Sequence, residues 1–146
     1  MKTALFDLDG TLADNSHRQH YVRGDNKRWD EFFAAQSGDS LNTVVADLFR
    51  VLVNSGEFCV IVVTARPERY RSETERWLTK YGLFPERVLM RRDGDRREDP
   101  IVKRELLFDL RSRGLEPHFV VDDRSCVVSM WRAEGIPCFQ CADHAY

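Results

Sequence analysis

Two carboxylates two residues apart, Asp7 and Asp9, close an apolar run that begins at Ala4, and a glycine and a threonine follow in Phe6-Asp7-Leu8-Asp9-Gly10-Thr11-Leu12. In a strand such acids share one face, but Gly10 lets the backbone break away and re-aim the second. The two can then do different jobs. One acts as an anionic nucleophile or metal ligand, while its neighbour, crowded by like charge, holds a proton as a general acid. A plain strand with an Asp-Gly turn explains the same residues unless partners appear further on. Two later apolar runs also end in reactive side chains, Phe58 to Val63 at Thr64 and Phe119 to Val121 at Asp122-Asp123.

The elements that must position these groups alternate along the chain. Lys2 to Asp7 reads as a strand apolar on both faces, and therefore central. Residues 13 to 40 form a polar and aromatic flap with a short helical pattern around Trp29 to Ala35. Apolar residues at Val44, Val45, Leu48, Phe49 and Leu52 predict a helix stopped by Gly56. Pro67 is expected in the first turn of the next helix, which runs through Trp77 to Tyr81. Val88 to Met90 is a third strand, and a charged loop from Arg91 to Glu98 follows. Asp99-Pro100 reads as an N-cap with proline at the first helical position, opening a helix to about Arg113. After the fourth strand come a helix through Met130 and Trp131 and a fifth strand, Pro137 to Gln140. The expectation is an α/β fold of three layers, with a five-stranded, mainly parallel sheet, helices on both faces and a flap after the first strand. Ligands of such sheets gather at the carboxyl ends of the strands.

With 146 residues, 42% hydrophobic and 32% charged, the chain suits one domain, 1–146, with a real core. A formal charge of −2 argues against a general polyanion coat and leaves any nucleic-acid contact to a local basic patch. No apolar stretch approaches the roughly 18 to 20 residues that span a bilayer, and the N-terminus has no tripartite leader, so a cytoplasmic location without membrane contact is expected. Cys59, Cys126, Cys138 and Cys141 are read as reduced structural thiols, because the lone C-x-x-C at 138–141 has no second pair to complete a zinc site.

The first motif resembles the DxDGT signature of the haloacid dehalogenase superfamily of phosphatases. Thr64, Lys103 and Asp122-Asp123 fill that pattern's remaining places in order. The resemblance implies Mg2+ held by Asp7, by Asp9 through its backbone carbonyl, and by one of Asp122 and Asp123. It also implies attack by Asp7 on a phosphate monoester, with Asp9 as acid and then base. The residue types suit that work. A dianionic ester repels a carboxylate nucleophile unless a cation and donors neutralise it. Thr64 can donate a hydroxyl hydrogen bond and Lys103 a point charge.

Arg18, Arg66 and Asp99, with the blocks Val120 to Arg124 and Met130-Trp131-Arg132, are similar to the 3′-phosphatase half of bacteriophage-type polynucleotide kinase–phosphatase. In that family two arginines and an aspartate at these places are required, and Asp99 is expected to orient Lys103 or Arg66. The chain departs from the usual Ser-Gly-Arg at Thr64-Ala65-Arg66, and its flap is longer. Gly10, Thr11, Ala65 and Arg66 are candidate substrate contacts, as are Arg96 and Arg97. Arg91 and Arg92 could also meet backbone phosphates, and Tyr21 or Trp29 could stack on a base, but the interleaved Asp93, Asp95, Glu98 and Asp99 leave residues 91 to 99 near neutral, so solvated ion pairing explains that loop at least as well. No G-x-x-x-x-G-K-[ST] occurs, so this chain alone is not expected to be a kinase, and a separate kinase or ligase is the candidate partner. The leading expectation is a polynucleotide 3′-phosphatase acting on nucleic-acid ends. A nucleotidase on 3′- or 5′-mononucleotides, and a catalytically idle binding subunit, stay open beside it.

Overall fold

A computed structural model describes residues 1–144. Its main sheet has five strands, β1 (Lys2–Phe6), β4 (Phe58–Pro67), β5 (Arg87–Arg91), β6 (Pro117–Arg124) and β7 (Cys138–His144), in the order β5-β4-β1-β6-β7. All neighbours pair in parallel. Between β1 and β4 lie β2 (Ala13–Asp14), α1 (Trp29–Ala34), β3 (Ser40–Leu41) and α2 (Thr43–Ser55). Helices α3 (Arg71–Lys80), α4 (Asp99–Ser112) and α5 (Ser125–Ala133) are the later crossovers. No helix among the described residues is long and apolar enough to cross a membrane.

The centre of the sheet follows from its sequence. Ala4 and Phe6 of β1 enter one core with Val60, Val62, Phe49 of α2 and Trp77 of α3. Leu5, on the opposite face, enters the other with Ile61, Leu107 of α4, and Val127 and Trp131 of α5. A strand apolar on both faces is stable only when both are covered.

Several boundaries differ from the sequence reading. Pro67 closes β4 rather than opening a helix, and its extended backbone (ψ 148°) leads through a single 3-10 turn, Glu68–Tyr70, into α3. The N-cap of α4 is Glu98, because two arginines engage the carboxylate of Asp99, which is already helical. On α2 the buried strip is narrower than the apolar pattern. Val45, Ala46 and Phe49 are buried while Val44 and Leu48 are 77% and 44% exposed, since residues at adjacent helical positions diverge by about 100°.

The flap is more ordered than a connecting loop. The two-residue strands β2 and β3 pair antiparallel and close it at its base. Val22, Phe32 and Phe33 form a small core of their own, with Tyr21, Trp29 and Tyr70 packed against it.

Candidate active site

Strand register assembles the site. Phe6 pairs with Val62 on one side and Val121 on the other, so Asp7 leaves β1 level with Val63 and Asp122, and Thr64 and Asp123 come one residue later. The Asp7 N–H donates to Val121 O at 2.9 Å and ties the strand end to β6. Lys103, in the first turns of α4, is buried and reaches this point from above the sheet. Its Nζ lies 2.7 Å from Asp7 Oδ1 and 3.0 Å from Asp122 Oδ2.

Oxygens of Asp7, Asp122 and Asp123 lie within 4.8 Å of one another, all three residues buried. The two members of the pair are held differently. Asp122 Oδ2 accepts from Lys103 and from Trp131 Nε1 at 3.1 Å, while its Oδ1 accepts the backbone N–H groups of Asp123 (2.8 Å) and Arg124 (3.4 Å). Four donors fill the acceptor sites of one carboxylate. Asp123 accepts one bond per oxygen, from Thr11 Oγ1 at 3.0 Å and from His144 Nδ1 at 2.5 Å. Burial, and then the charge of Asp122, push the Asp7 carboxyl well above the usual carboxylate range, with Lys103 opposing them. Burial alone would lower the Lys103 pKa, but Asp122 and Asp7 together raise it, so the ammonium persists. Three buried acids against one ammonium, offering hard oxygen donors, fit a divalent cation such as magnesium.

Asp9 points the other way and is not crowded by acids. Its carboxylate meets Arg18, and Arg66 by Nε at 3.1 and 3.2 Å and Nη2 at 2.7 Å. Burial would raise its pKa, yet Arg66 and Arg18 outweigh this and hold it well below the usual value. The like-charge crowding expected at Asp9 therefore falls on Asp7 instead. The Asp9 side chain lies outside the cluster of Asp7, Asp122 and Asp123 and is taken up by the two arginines.

Both arginines are fully buried, unlike surface ion pairs. Arg18 places Nε and Nη2 on Asp39 at 2.7 and 2.6 Å and Nη1 on Phe32 O at 2.8 Å. Arg66 adds Gln36 and, at 3.1 Å, Thr74 Oγ1. Asp39 and Gln36, absent from the sequence reading, thus fasten the flap to the Asp9 side of the site. Nothing in their local sequence marks them, because their partners lie 21 and 30 residues away.

Asp99 is also placed differently from expectation. It touches neither Lys103 nor Arg66. Its oxygens receive Arg91 Nη2 and Arg124 Nη1, each at 2.6 Å. Arg91, which the sequence left between a phosphate contact and solvated ion pairing, is buried with its guanidinium on Ala65 O, Asp95 O and Arg97 O as well. Arg97 is exposed but bracketed by Asp95 and Glu105. Thr64 Oγ1 accepts the Arg66 N–H at 3.2 Å.

Gly10 has φ +83°, and a Cβ there would sit 2.3 Å from Asp123 Oδ2, so only glycine fits. Thr11, a candidate substrate contact, has its hydroxyl 3.0 Å from both Asp7 Oδ2 and Asp123 Oδ1. Burial pushes the Cys138 and Cys141 thiols up to about 12 and about 11, which keeps both protonated. A cavity of about 20 Å3 lies over the acids, roofed by Trp29, Phe32 and Phe33, with Ala65 in its wall.

Over residues 1–146 the chain matches the model of the polynucleotide kinase PNKP phosphatase domain. It is 35% identical to a chain of the Pnkp1/Rnl/Hen1 RNA repair complex, with a TM-score of 0.85 over 99% of this chain and 43% of that one. A protein of Autographa californica nuclear polyhedrosis virus, named for polynucleotide kinase and RNA ligase activities, is 26% identical over 93% of this chain and 18% of its own length. The chain therefore spans less than half of these relatives. A haloacid dehalogenase family enzyme of Bacteroides thetaiotaomicron, in complex with magnesium and inorganic phosphate, shares the fold at 13% identity and a TM-score of 0.56, over 96% of this chain and 93% of its own. Both the acid cluster at the strand ends and the match along the whole chain lead to one assignment: the chain belongs to the PNKP phosphatase domain family of haloacid dehalogenase hydrolases.

Proposed function

We propose that the chain is a magnesium-dependent phosphomonoesterase that removes 3′-phosphates from polynucleotide ends through an aspartyl-phosphate at Asp7. The observation that carries this reading is the meeting of Asp7, Asp122, Asp123 and Lys103 from three separated segments. Asp7 and Asp123 would hold the cation with the Asp9 carbonyl. Asp123 is the direct ligand of the pair because donors already fill Asp122, which anchors Lys103. Bound there, the cation supplies charge neutralisation for the phosphoryl oxygens and for the crowded acids.

Asp7 attacks phosphorus, the bond to the sugar oxygen breaks, and the leaving alkoxide takes a proton from Asp9. Water then attacks the phosphorus of the aspartyl-phosphate, Asp9 accepts its proton, and inorganic phosphate leaves. The ionised Asp9 seen beside its arginines is ready for the second half. For the first half it must hold a proton, and a phosphoryl group drawing Arg66 onto its own oxygens removes the larger part of the charge that keeps Asp9 acidic, Arg18 staying in place. Thr64 and Lys103 add donors to the phosphoryl oxygens. Arg91 and Arg124 act indirectly, by fixing Asp99 at the cavity wall.

The chain spans 43% of one relative, in a complex with Rnl and Hen1, and 18% of another named for polynucleotide kinase and RNA ligase, so a separate kinase or ligase is the proposed partner. The test is a substrate panel with magnesium: a 3′-phosphorylated oligonucleotide, its 5′-phosphorylated isomer, and 3′- and 5′-mononucleotides. Release from the 3′-phosphorylated oligonucleotide should dominate and vanish in Asp7→Asn. Preference for 5′-phosphates, or full activity in Asp7→Asn, would refute the reading.

A further inference from the structure

A groove of about 530 Å3 adjoins the cavity over the acids and shares Trp29, Phe33, Asp99 and Arg124 with it. One wall is the flap, with Lys27 and Trp29, and the other is the charged loop before α4, with Arg96. Its volume lies within the roughly 300–1,000 Å3 of ligand sites. Six of its lining residues are Lys or Arg against four Asp or Glu, and Arg69 and Arg97 also meet Asp93 and Glu105 just outside it, so among the described residues the lining charges without an ion pair are Lys27, Arg96 and Glu98.

The acids in the groove are largely matched. Asp99 is held by Arg91 and Arg124, Asp30 meets Arg69, and Asp95 meets Arg97. Lys27 and Arg96 are exposed, and among the described residues neither is in an ion pair. The half-buried Trp29 ring stands where cavity and groove meet, with Lys27 Nζ 5.8 Å and the Arg124 guanidinium 5.9 Å from its centroid. An aromatic face flanked by cations matches an unstacked base followed by a phosphate. Tyr21, the other aromatic candidate, lines neither space; it packs against the flap's own core with the Arg28 guanidinium over its ring.

We propose that this groove is the track of a single-stranded polynucleotide upstream of its 3′ end, with Trp29 stacking on the terminal base and Lys27 and Arg96 meeting the next backbone phosphates. The inference rests on the 3′-phosphatase reading and adds to it the surface, Trp29, Lys27 and Arg96, that makes the polymer a better substrate than the monomer. A nucleoside 3′-phosphate would fill only the cavity and the Trp29 face, so the groove cations contribute nothing to it.

The test uses the full chain with magnesium and compares kcat/KM on a 3′-phosphorylated single strand about ten nucleotides long with that on the nucleoside 3′-phosphate. Wild type should favour the oligonucleotide. The double charge reversal Lys27→Glu/Arg96→Glu should lower that preference about ten-fold and flatten the salt dependence of its KM. Trp29→Ala should lower it similarly, with Trp29→Phe recovering most of the loss. Binding of the 3′-hydroxyl oligonucleotide, read by quenching of tryptophan fluorescence, is the independent arm. Quenching in wild type that disappears in the soluble, folded Trp29→Phe supports the stacking contact even if no phosphate is released. An oligonucleotide preference that survives both sets of substitutions within two-fold, or no preference in wild type, would overturn the groove while leaving the 3′-phosphatase standing. Absence of 3′-phosphate release with quenching intact would overturn the phosphatase reading and leave the groove standing.

Discussion

At the scale of single residues, the site gathers three buried acids around one ammonium. Lys103 is the one ammonium among Asp7, Asp122 and Asp123, and breaking a buried pair by removing one partner costs about 3–5 kcal/mol. Lys103→Met should lose stability of that order in denaturant unfolding, with magnesium restoring part of it, and should lose turnover. Gly10→Ala combines a clash at Asp123 with a left-handed backbone, and the backbone alone costs roughly 1–2 kcal/mol. It should lower both the melting temperature and magnesium affinity. Asp9 gives a pH prediction. Its folded pKa is depressed by Arg66 and Arg18 against the opposing effect of burial, so the stability it adds is present above its unfolded value. That stability is lost as pH falls toward the folded value. The unfolding free-energy gap between wild type and Asp9→Asn should therefore shrink from about pH 5 downward; a gap that widened in acid would contradict the pairing.

At the scale of elements, the flap is fastened by two buried arginines rather than draped over the site. Arg18 belongs to the flap and Arg66 to β4, and Asp39 and Gln36 accept them from the flap's return segment. Asp39 accepts from Arg18 Nε and Nη2 and so holds the guanidinium in place for Asp9 without lining the cavity, which makes it a positioning residue. Asp39→Asn should leave the sheet's fold intact and loosen the flap. Hydrogen exchange in residues 15–38 should rise and kcat should fall about ten-fold, in line with the loss of roughly 1.4 kcal/mol of orientation. Unchanged exchange in the flap would show that Asp39 does not fasten it. The loop before α4 works in a related way. Buried Arg91 ties its carbonyls to Ala65 and Asp99, so the loop's shape is set from inside while Arg92 and Arg96 remain outside.

At the scale of the whole molecule, five parallel strands deliver acids from β1 and β6 to one edge, and α4 delivers the lysine across them. An ion that binds only the folded state stabilises it by RT ln(1 + [L]/Kd), about 2.7 kcal/mol at a hundred times Kd. Magnesium should therefore raise the melting temperature by several degrees, and chelation should reverse it. The shift should disappear in Asp123→Asn. An equal shift in that variant would remove Asp123 from the ligand set.

The sequence by itself determined the alternation of strands and helices, the central place of β1, the acids and threonine at the strand ends, and the lysine on the helix that follows Asp99. These are legible because apolar periodicity and strand-terminal polar residues are local signals. It did not determine where Asp9 and Asp99 point, which arginines are buried, or that Asp39 and Gln36 belong to the site. Those outcomes depend on which cation lies nearest across 8 to 57 residues of chain. A carboxylate's charge state and partner are set by the burial and field of the folded molecule, and only the tertiary structure brings those neighbours together.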